Sequence, residues 1–117
     1  MDEDALTRML HGTVRALVRR DGPDLTARQL GVFLTVYLAE GPHTVRGLAA
    51  ELNINKPSIT RALDRLGEFD LVRRQADPMD RRSVLAQRTL LGQAFLAELR
   101  GMLSAAARTA TEVKTAA

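Results

Sequence analysis

Cysteine is absent from these 117 residues, which excludes a disulfide framework, a thiol redox switch and a cysteine zinc knuckle. Tryptophan is absent as well and aromatic residues make up only 3%, too few for the stacking platforms that hold single-stranded nucleic acids. No apolar run reaches the roughly 18 residues of a membrane span, because Arg, Asp, Glu or Gly interrupts every leucine-rich stretch. No signal-peptide pattern follows Met1-Asp2-Glu3-Asp4, so a cytoplasmic location is expected. His11 and His43 have no Cys, Asp or His at ligand spacing, Ser83 and Ser104 have no recognisable base or elbow motif, and no glycine-rich phosphate loop occurs. The reading therefore expects no metal, no cofactor and no enzyme site.

Lysine is scarce too. It stands only at Lys56 and Lys114, although Lys and Arg together number 17 against 14 acids, for a formal charge of +3. The positive charge is nearly all arginine, whose planar fork grips phosphate and guanine edges bidentately where lysine acts as a point charge. Charge alone favours an anionic partner only weakly, since a solvated basic surface has the same composition. Hydrophobic residues at 45% and charged residues at 26% place the chain among globular proteins, with length for one domain and hardly two.

Helical spacing of Leu6, Met9, Leu10, Val14, Leu17 and Val18 predicts a first helix from about Glu3 to Arg20, stopped by Asp21-Gly22-Pro23. Thr26 and Gln29 have capping-box spacing, with Leu25 and Leu30 placed as a staple, so a second helix starts there and closes at Gly41-Pro42. Thr44 is placed to cap a short third helix carrying Val45, Leu48, Ala49 and Leu52 inward. After the compact turn Asn53-Ile54-Asn55, Asn55 can cap a fourth helix with Pro57 in its first turn and Ile59, Ala62, Leu63 and Leu66 on its inner stripe. Two short helices joined by a tight turn make a helix-turn-helix pattern. Leu71–Gln75 and Ser83–Gln87 read as two strands around a charged loop at Ala76–Asp80, and a final helix starts at Thr89 with Leu91, Phe95, Leu99, Met102, Leu103 and Ala106 on one side.

The whole is predicted to be mainly α: a winged helix-turn-helix with a two-stranded wing, residues 25–88, between terminal helices at 3–20 and 89–112, the 117 residues forming one domain. At this point the chain resembles the multiple antibiotic resistance regulator (MarR) family of bacterial transcription factors. The resemblance covers Leu25 to about Gly92 and rests on Leu25-Thr26 with Gln29, Leu48-Ala49, the run Ser58 to Leu66, Leu71-Val72 with Arg74, Asp80-Arg81-Arg82, and Thr89 with Gly92. The chain departs from the family pattern at three places. Gly67 and Asp70 stand where Glu and then Gly are usual, Arg88 replaces an apolar residue, and the chain is short for the family, without the final helix that often completes the dimer region. Asp tolerates the left-handed backbone that the turn at Asp70 needs.

On the fourth helix Pro57, Thr60, Arg61 and Asp64 point away from the apolar stripe, flanked by Ser58 and Arg65, with Lys56 at its start. An α-helix fits the major groove of B-DNA, where Arg61 can read guanine O6 and N7 and Ser58 and Thr60 can reach a base edge or a phosphate. A solvated helix face with incidental arginines has the same pattern, and the winged setting favours DNA. Arg74 is taken with the DNA-contacting set, and Arg81 and Arg82 at the wing tip suit a narrow minor groove, with Asp80 placed to orient an arginine by a bidentate pair. Arg73 fits equally the use of charge to blunt a sheet edge. The resemblance implies that Asp64 pairs with a wing arginine to brace the recognition helix, with Arg81 or Arg82 available as its partner.

The terminal helices have more apolar positions than so small a core needs. Leu6, Leu10, Val14 and Leu17, with Phe95, Leu99, Met102 and Leu103, can form a two-fold interface or fold back onto one monomer. The resulting expectation is a homodimeric regulator, a repressor in particular, that binds a palindrome on double-stranded DNA, and the resemblance implies a small-molecule effector. The competing expectation is a winged module that binds another protein and never DNA, which would gain weight if Lys56, Arg61, Arg81 and Arg82 were tied up in internal ion pairs on a surface without net positive potential.

Overall fold

The computed structural model describes residues 1–116, with side chains through Glu112. Five helices and three strands follow in the order α1 (Glu3–Arg19), α2 (Ala27–Leu38), β1 (His43–Thr44), α3 (Val45–Leu52), α4 (Lys56–Glu68), β2 (Val72–Asp77), β3 (Asp80–Arg88) and α5 (Leu90–Ala116). They divide into two compact units, residues 25–94 and residues 1–24 with 95–117.

In residues 25–94 the helix starts follow the capping chemistry of the sequence. Thr26 and Gln29 form a reciprocal capping box, Thr44 Oγ1 accepts from the Gly47 amide at 2.9 Å, and Asn55 Oδ1 accepts from the Ser58 amide at 2.8 Å. Each cap satisfies an amide that the helix itself leaves without an acceptor. The ends of α3 and α4 use the left-handed region without glycine, at Asn53 (φ 53°) and Asp70 (φ 57°). After α4 the Leu71 amide donates to Leu66 and the Asp70 amide to Gly67, at 2.9 and 3.0 Å, the paired bonds of a Schellman ending.

The core of this unit joins Val32, Phe33 and Val36 of α2 to Leu48 of α3, Ile59, Leu63 and Leu66 of α4, and Leu71 and Val72. Tyr37 stacks on Phe33 one helical turn away, with ring centroids 4.4 Å apart. Its hydroxyl donates to the Leu71 carbonyl at 2.6 Å and accepts from the Thr89 amide at 2.9 Å. Thr89 in turn donates to the Asp70 carbonyl and caps the Gly92 amide. One buried phenol therefore fixes the entry to β2 and the start of α5.

The sheet is antiparallel in the order β1-β3-β2, so the wing root has three strands where the sequence predicts two. The added strand is only His43-Thr44, paired with Ala86 and Leu85 of β3. Two residues contain no alternation to read, and the pairing partner lies some forty positions away. The hairpin is also longer than expected, with a turn of only Pro78-Met79 and an irregularity at Ala76/Asp77. Arg88, unusual in type at its position, fits through polar contacts. Its guanidinium donates to the carbonyls of Val36 (2.8 Å) and Ala39 (3.3 Å), which are among the orphan acceptors at the C-terminus of α2.

In the other unit, α1 and the later turns of α5 run antiparallel. Arg20 pairs with Glu98 at 2.8 Å, Gly12 faces Ala106, and Arg8 donates to the Ala110 carbonyl. The Arg20 guanidinium also lies 5.0 Å above the Phe95 ring. Ala5, Thr13, Phe95, Leu96, Leu99, Ala106 and Ala110 are buried. No helix among the described residues is long and apolar enough to cross a membrane.

Candidate nucleic-acid interface

The helix α4 turns Ile59, Ala62, Leu63 and Leu66 into the core and leaves Lys56, Pro57, Arg61, Asp64 and Arg65 exposed. The outward face is thus the one that the helical period predicts. Thr60 is half-buried, and Ser58 is buried at 8% exposure. Ser58 lies four and eight residues before Ala62 and Leu66, so it borders the apolar stripe. Its hydroxyl accepts from the Arg61 guanidinium at 3.0 Å. Ser58 therefore orients the outward arginine from below. Arg65 is engaged within its own helix, paired with Glu68 at 2.8 Å and stacked 4.5 Å over Phe69.

Asp64 does pair with an arginine, but the partner is Arg74 of β2, not Arg81 or Arg82. The reason is the two-residue period of a strand. Val72 points into the core, so Arg74, two positions on, shares its face and meets α4. This contact between exposed side chains ties α4 to the wing, and the alternation alone could have found it. Asp80 also differs from expectation. Its carboxylate accepts from the Arg82 amide (3.0 Å) and the Ser83 hydroxyl (3.1 Å) and so shapes the backbone at the start of β3, with no side-chain pair to an arginine.

The α4 start, the α3 start and the wing enclose a cup of about 270 Å³, whose walls include Arg46, Lys56, Thr60, Arg74 and Arg82. Arg46 and Thr44 are absent from the sequence-derived set, because what brings them here is the β1–β3 pairing of Thr44 with Leu85. Arg82 faces the cup. Arg81, its neighbour on β3, belongs to the opposite face of the strand and is exposed at the tip, as is Arg73 along β2. Among the described residues Lys56, Arg61, Arg81 and Arg82 form no ion pair.

In the terminal unit, Leu6, Leu10, Val14 and Val18 form a stripe on α1 exposed at 44, 61, 46 and 70%. Leu17 and Met102 are half-buried, and Leu103 is exposed. Phe95 and Leu99 stand otherwise: at 5 and 4% exposure they are already covered within one chain and offer no free surface to a partner. A groove of about 590 Å³ runs between α1 and α5, lined by Arg8, His11, Gly12, Arg15, Ala105 and Ala106 among others. Among the described residues no group of three or more His, Cys, Asp or Glu is placed to hold a metal ion.

The pair α3–α4 followed by the antiparallel β2–β3 hairpin is the winged helix-turn-helix fold. The MarR family model matches residues 25–84, and the chain belongs to that family. No curated protein shows significant similarity to it. Among solved structures it is similar to a MarR-family transcriptional regulator from Rhodococcus sp. RHA1, at 28% identity and a TM-score of 0.65, over 84% of this chain and 66% of that one. CouR from Rhodococcus jostii RHA1, solved bound to p-coumaroyl-CoA, is similar at 28% identity and a TM-score of 0.64 over the same shares. A MarR-like transcriptional regulator from Thermotoga maritima shares 26% identity at a TM-score of 0.65, over 96% of this chain and 82% of that one. The chain thus spans just under two-thirds of the length of the two Rhodococcus regulators.

Proposed function

We propose that the chain is a transcriptional repressor that binds a short palindromic operator as a homodimer in the cytoplasm and is released by a small-molecule effector. The observation that carries this reading is the meeting of α4 with the wing. Lys56, Thr60, Arg74 and Arg82 share one concave surface, and Arg61 stands beside it. With Lys56, Arg61, Arg81 and Arg82 outside any ion pair among the described residues, their charge is available to an anionic partner. The protein-interaction alternative, which would gain weight if these cations were neutralised internally, gains none from that arrangement. In the proposed roles α4 enters the major groove with Arg61 on a base edge, Ser58 orients Arg61, the Asp64–Arg74 pair sets the wing, and Arg81 reaches the minor groove. The effector is supported by CouR, a relative solved with p-coumaroyl-CoA.

The test is fluorescence anisotropy on an operator obtained by selection from random duplex DNA. A dimer making about 6 to 10 phosphate contacts should lose affinity with a log–log salt slope of roughly −5 to −9. The selected sequences should be palindromic, with half-sites about one helical turn apart. A shallow slope, or no binding at low salt, would refute the reading.

Dimerisation rests on the exposed α1 stripe. Full burial of one leucine side chain is worth about 1.5 to 3 kcal/mol, and a carboxylate in its place must be desolvated without a partner. Leu10→Asp, at a position 61% exposed in one chain, should therefore leave the fold intact and shift the mass measured by light scattering from dimer to monomer. A wild-type chain that is monomeric at high micromolar concentration would overturn this assignment.

A further inference from the structure

The cup between α3, α4 and the wing has a use more specific than general basicity. Four cations face it, Arg46, Lys56, Arg74 and Arg82, and no carboxylate is among its lining residues. Asp64 balances Arg74 from outside, while Arg46, Lys56 and Arg82 have no ion-pair partner among the described residues. Thr44 and Thr60 add hydroxyls to the wall, and the Thr44 oxygen, though it accepts from the Gly47 amide, keeps its own proton to donate. Val45 and Val84 are the only apolar residues of its lining, which has no aromatic ring. Such a site has no ring on which a nucleobase can stack. Its chemistry fits a compact oxyanion ringed by charge-assisted donors, above all a phosphoryl group.

We propose that each cup seats one phosphodiester of the DNA backbone, held by Arg46 and Arg82, a contact that supplies affinity and carries no base information. The proposal rests on the DNA-binding reading above and adds to it a residue, Arg46, and a defined contact. Thr60 lines the cup and Arg61 is the next residue of the same helix. The backbone contact and the proposed base contact therefore adjoin at α4 but separate in their readout, the first in the salt slope and the second in base preference. Arg46 acts here through charge on a phosphate, so lysine can replace it; Arg61 needs its planar fork, so lysine cannot.

The experiment measures anisotropy salt slopes on the selected operator for wild type, Arg46→Ala, Arg46→Lys and the control Arg28→Ala, an exposed arginine at the start of α2. Each phosphate contact contributes about 1 to the slope, so Arg46→Ala should make the slope of a dimer shallower by about 2 and leave the ranking of single-base operator variants unchanged. Arg46→Lys should restore the wild-type slope. Because Arg46 is exposed and makes no side-chain bond in the core, circular dichroism of both variants should match wild type. If Arg46→Ala changes the slope no more than Arg28→Ala, the proposal falls while DNA binding stands. If the wild type binds no duplex, both fall. Calorimetric titration with pyrophosphate separates the sources of phosphate: binding abolished by Arg46→Ala without any change in the DNA slope would assign the cup to a free oxyanion and overturn the backbone assignment.

Discussion

Replacing Gly92 by alanine should unfold or nearly unfold residues 25–94, although it adds a single methyl group to a helix. A Cβ at this position would lie 1.7 Å from the Tyr37 hydroxyl oxygen, 2.5 Å from Cζ of the same ring and 2.4 Å from the Leu71 carbonyl oxygen. A flexible side-chain tip could swing aside at little cost. Here the obstacles are a ring stacked on Phe33 and a backbone carbonyl at the entry to β2. Relief requires moving the phenol, which breaks its bonds to Leu71 and Thr89, or moving α5 off the core. Overpacking costs about 1 to 3 kcal/mol, and each buried bond left unmade adds about 1 to 3 kcal/mol, so the total approaches the whole stability of a small domain. Thermal denaturation should show a midpoint lowered by more than roughly 10 °C, or no cooperative transition. Adding Tyr37→Phe should rescue only in part, since it removes the 1.7 Å clash and leaves the other two. A Gly92→Ala protein as stable as wild type would show that α5 does not approach Tyr37 as closely as described.

The same cluster shows what the sequence could reveal. Helix starts were readable wherever a side chain caps its own helix, as at Thr26, Thr44 and Asn55, because capping is local and its spacing is fixed. The outward face of α4 was readable from its period, and the left-handed turn at Asp70 from residue type. Gly92 could be matched to a family pattern, but its reason could not be read, since the atoms that forbid a side chain there come from residues 37 and 71. β1 was hidden for the same kind of reason: its two residues become a strand only through β3.

In the candidate site the residue types were largely legible and their pairings were not. The sequence marks Asp64 as needing a wing cation and points to Arg81 or Arg82, whereas the inward setting of Val72 selects Arg74. The sequence places Asp80 to orient an arginine, whereas it holds the Arg82 amide and the Ser83 hydroxyl, since a short Asp at the base of a tight turn lies nearer to its own backbone than to a long side chain reaching outward. Arg46 went unnoticed because nothing within α3 distinguishes it from other exposed arginines. It gains its place from the strand pairing just before the helix.

Arg61→Ala and Arg81→Ala should both weaken operator binding and should fail in different ways. Arg61 emerges from the outward face of α4, with its guanidinium steadied by the Ser58 hydroxyl at 3.0 Å. A fork oriented in this way is suited to the O6 and N7 acceptors of one guanine. Its loss should cost about 1 to 3 kcal/mol per half-site and flatten preference at one base position, leaving the others sharp. Ser58→Ala should reproduce a weaker form of the same flattening, because it frees the fork without removing it. Arg81, exposed at the wing tip, has no such brace and suits the negative potential of a narrow minor groove. Its loss should lower affinity for all operators more evenly, most where A·T tracts narrow the flanking groove. Arg82, which faces the cup, should group with neither: Arg82→Ala should act as the loss of a phosphate contact, with a shallower salt slope and an unchanged base ranking. The comparison of Arg61→Ala with Arg81→Ala requires one consensus operator, its single-base variants and variants of the flanking tract at fixed salt, since phosphate neutralisation otherwise mixes with both effects, and the Arg82→Ala slope is measured separately across a salt series. Matching specificity profiles for Arg61→Ala and Arg81→Ala would refute this division of labour even with DNA binding established. The expected pattern is one base position lost with Arg61 and one flanking-tract preference lost with Arg81.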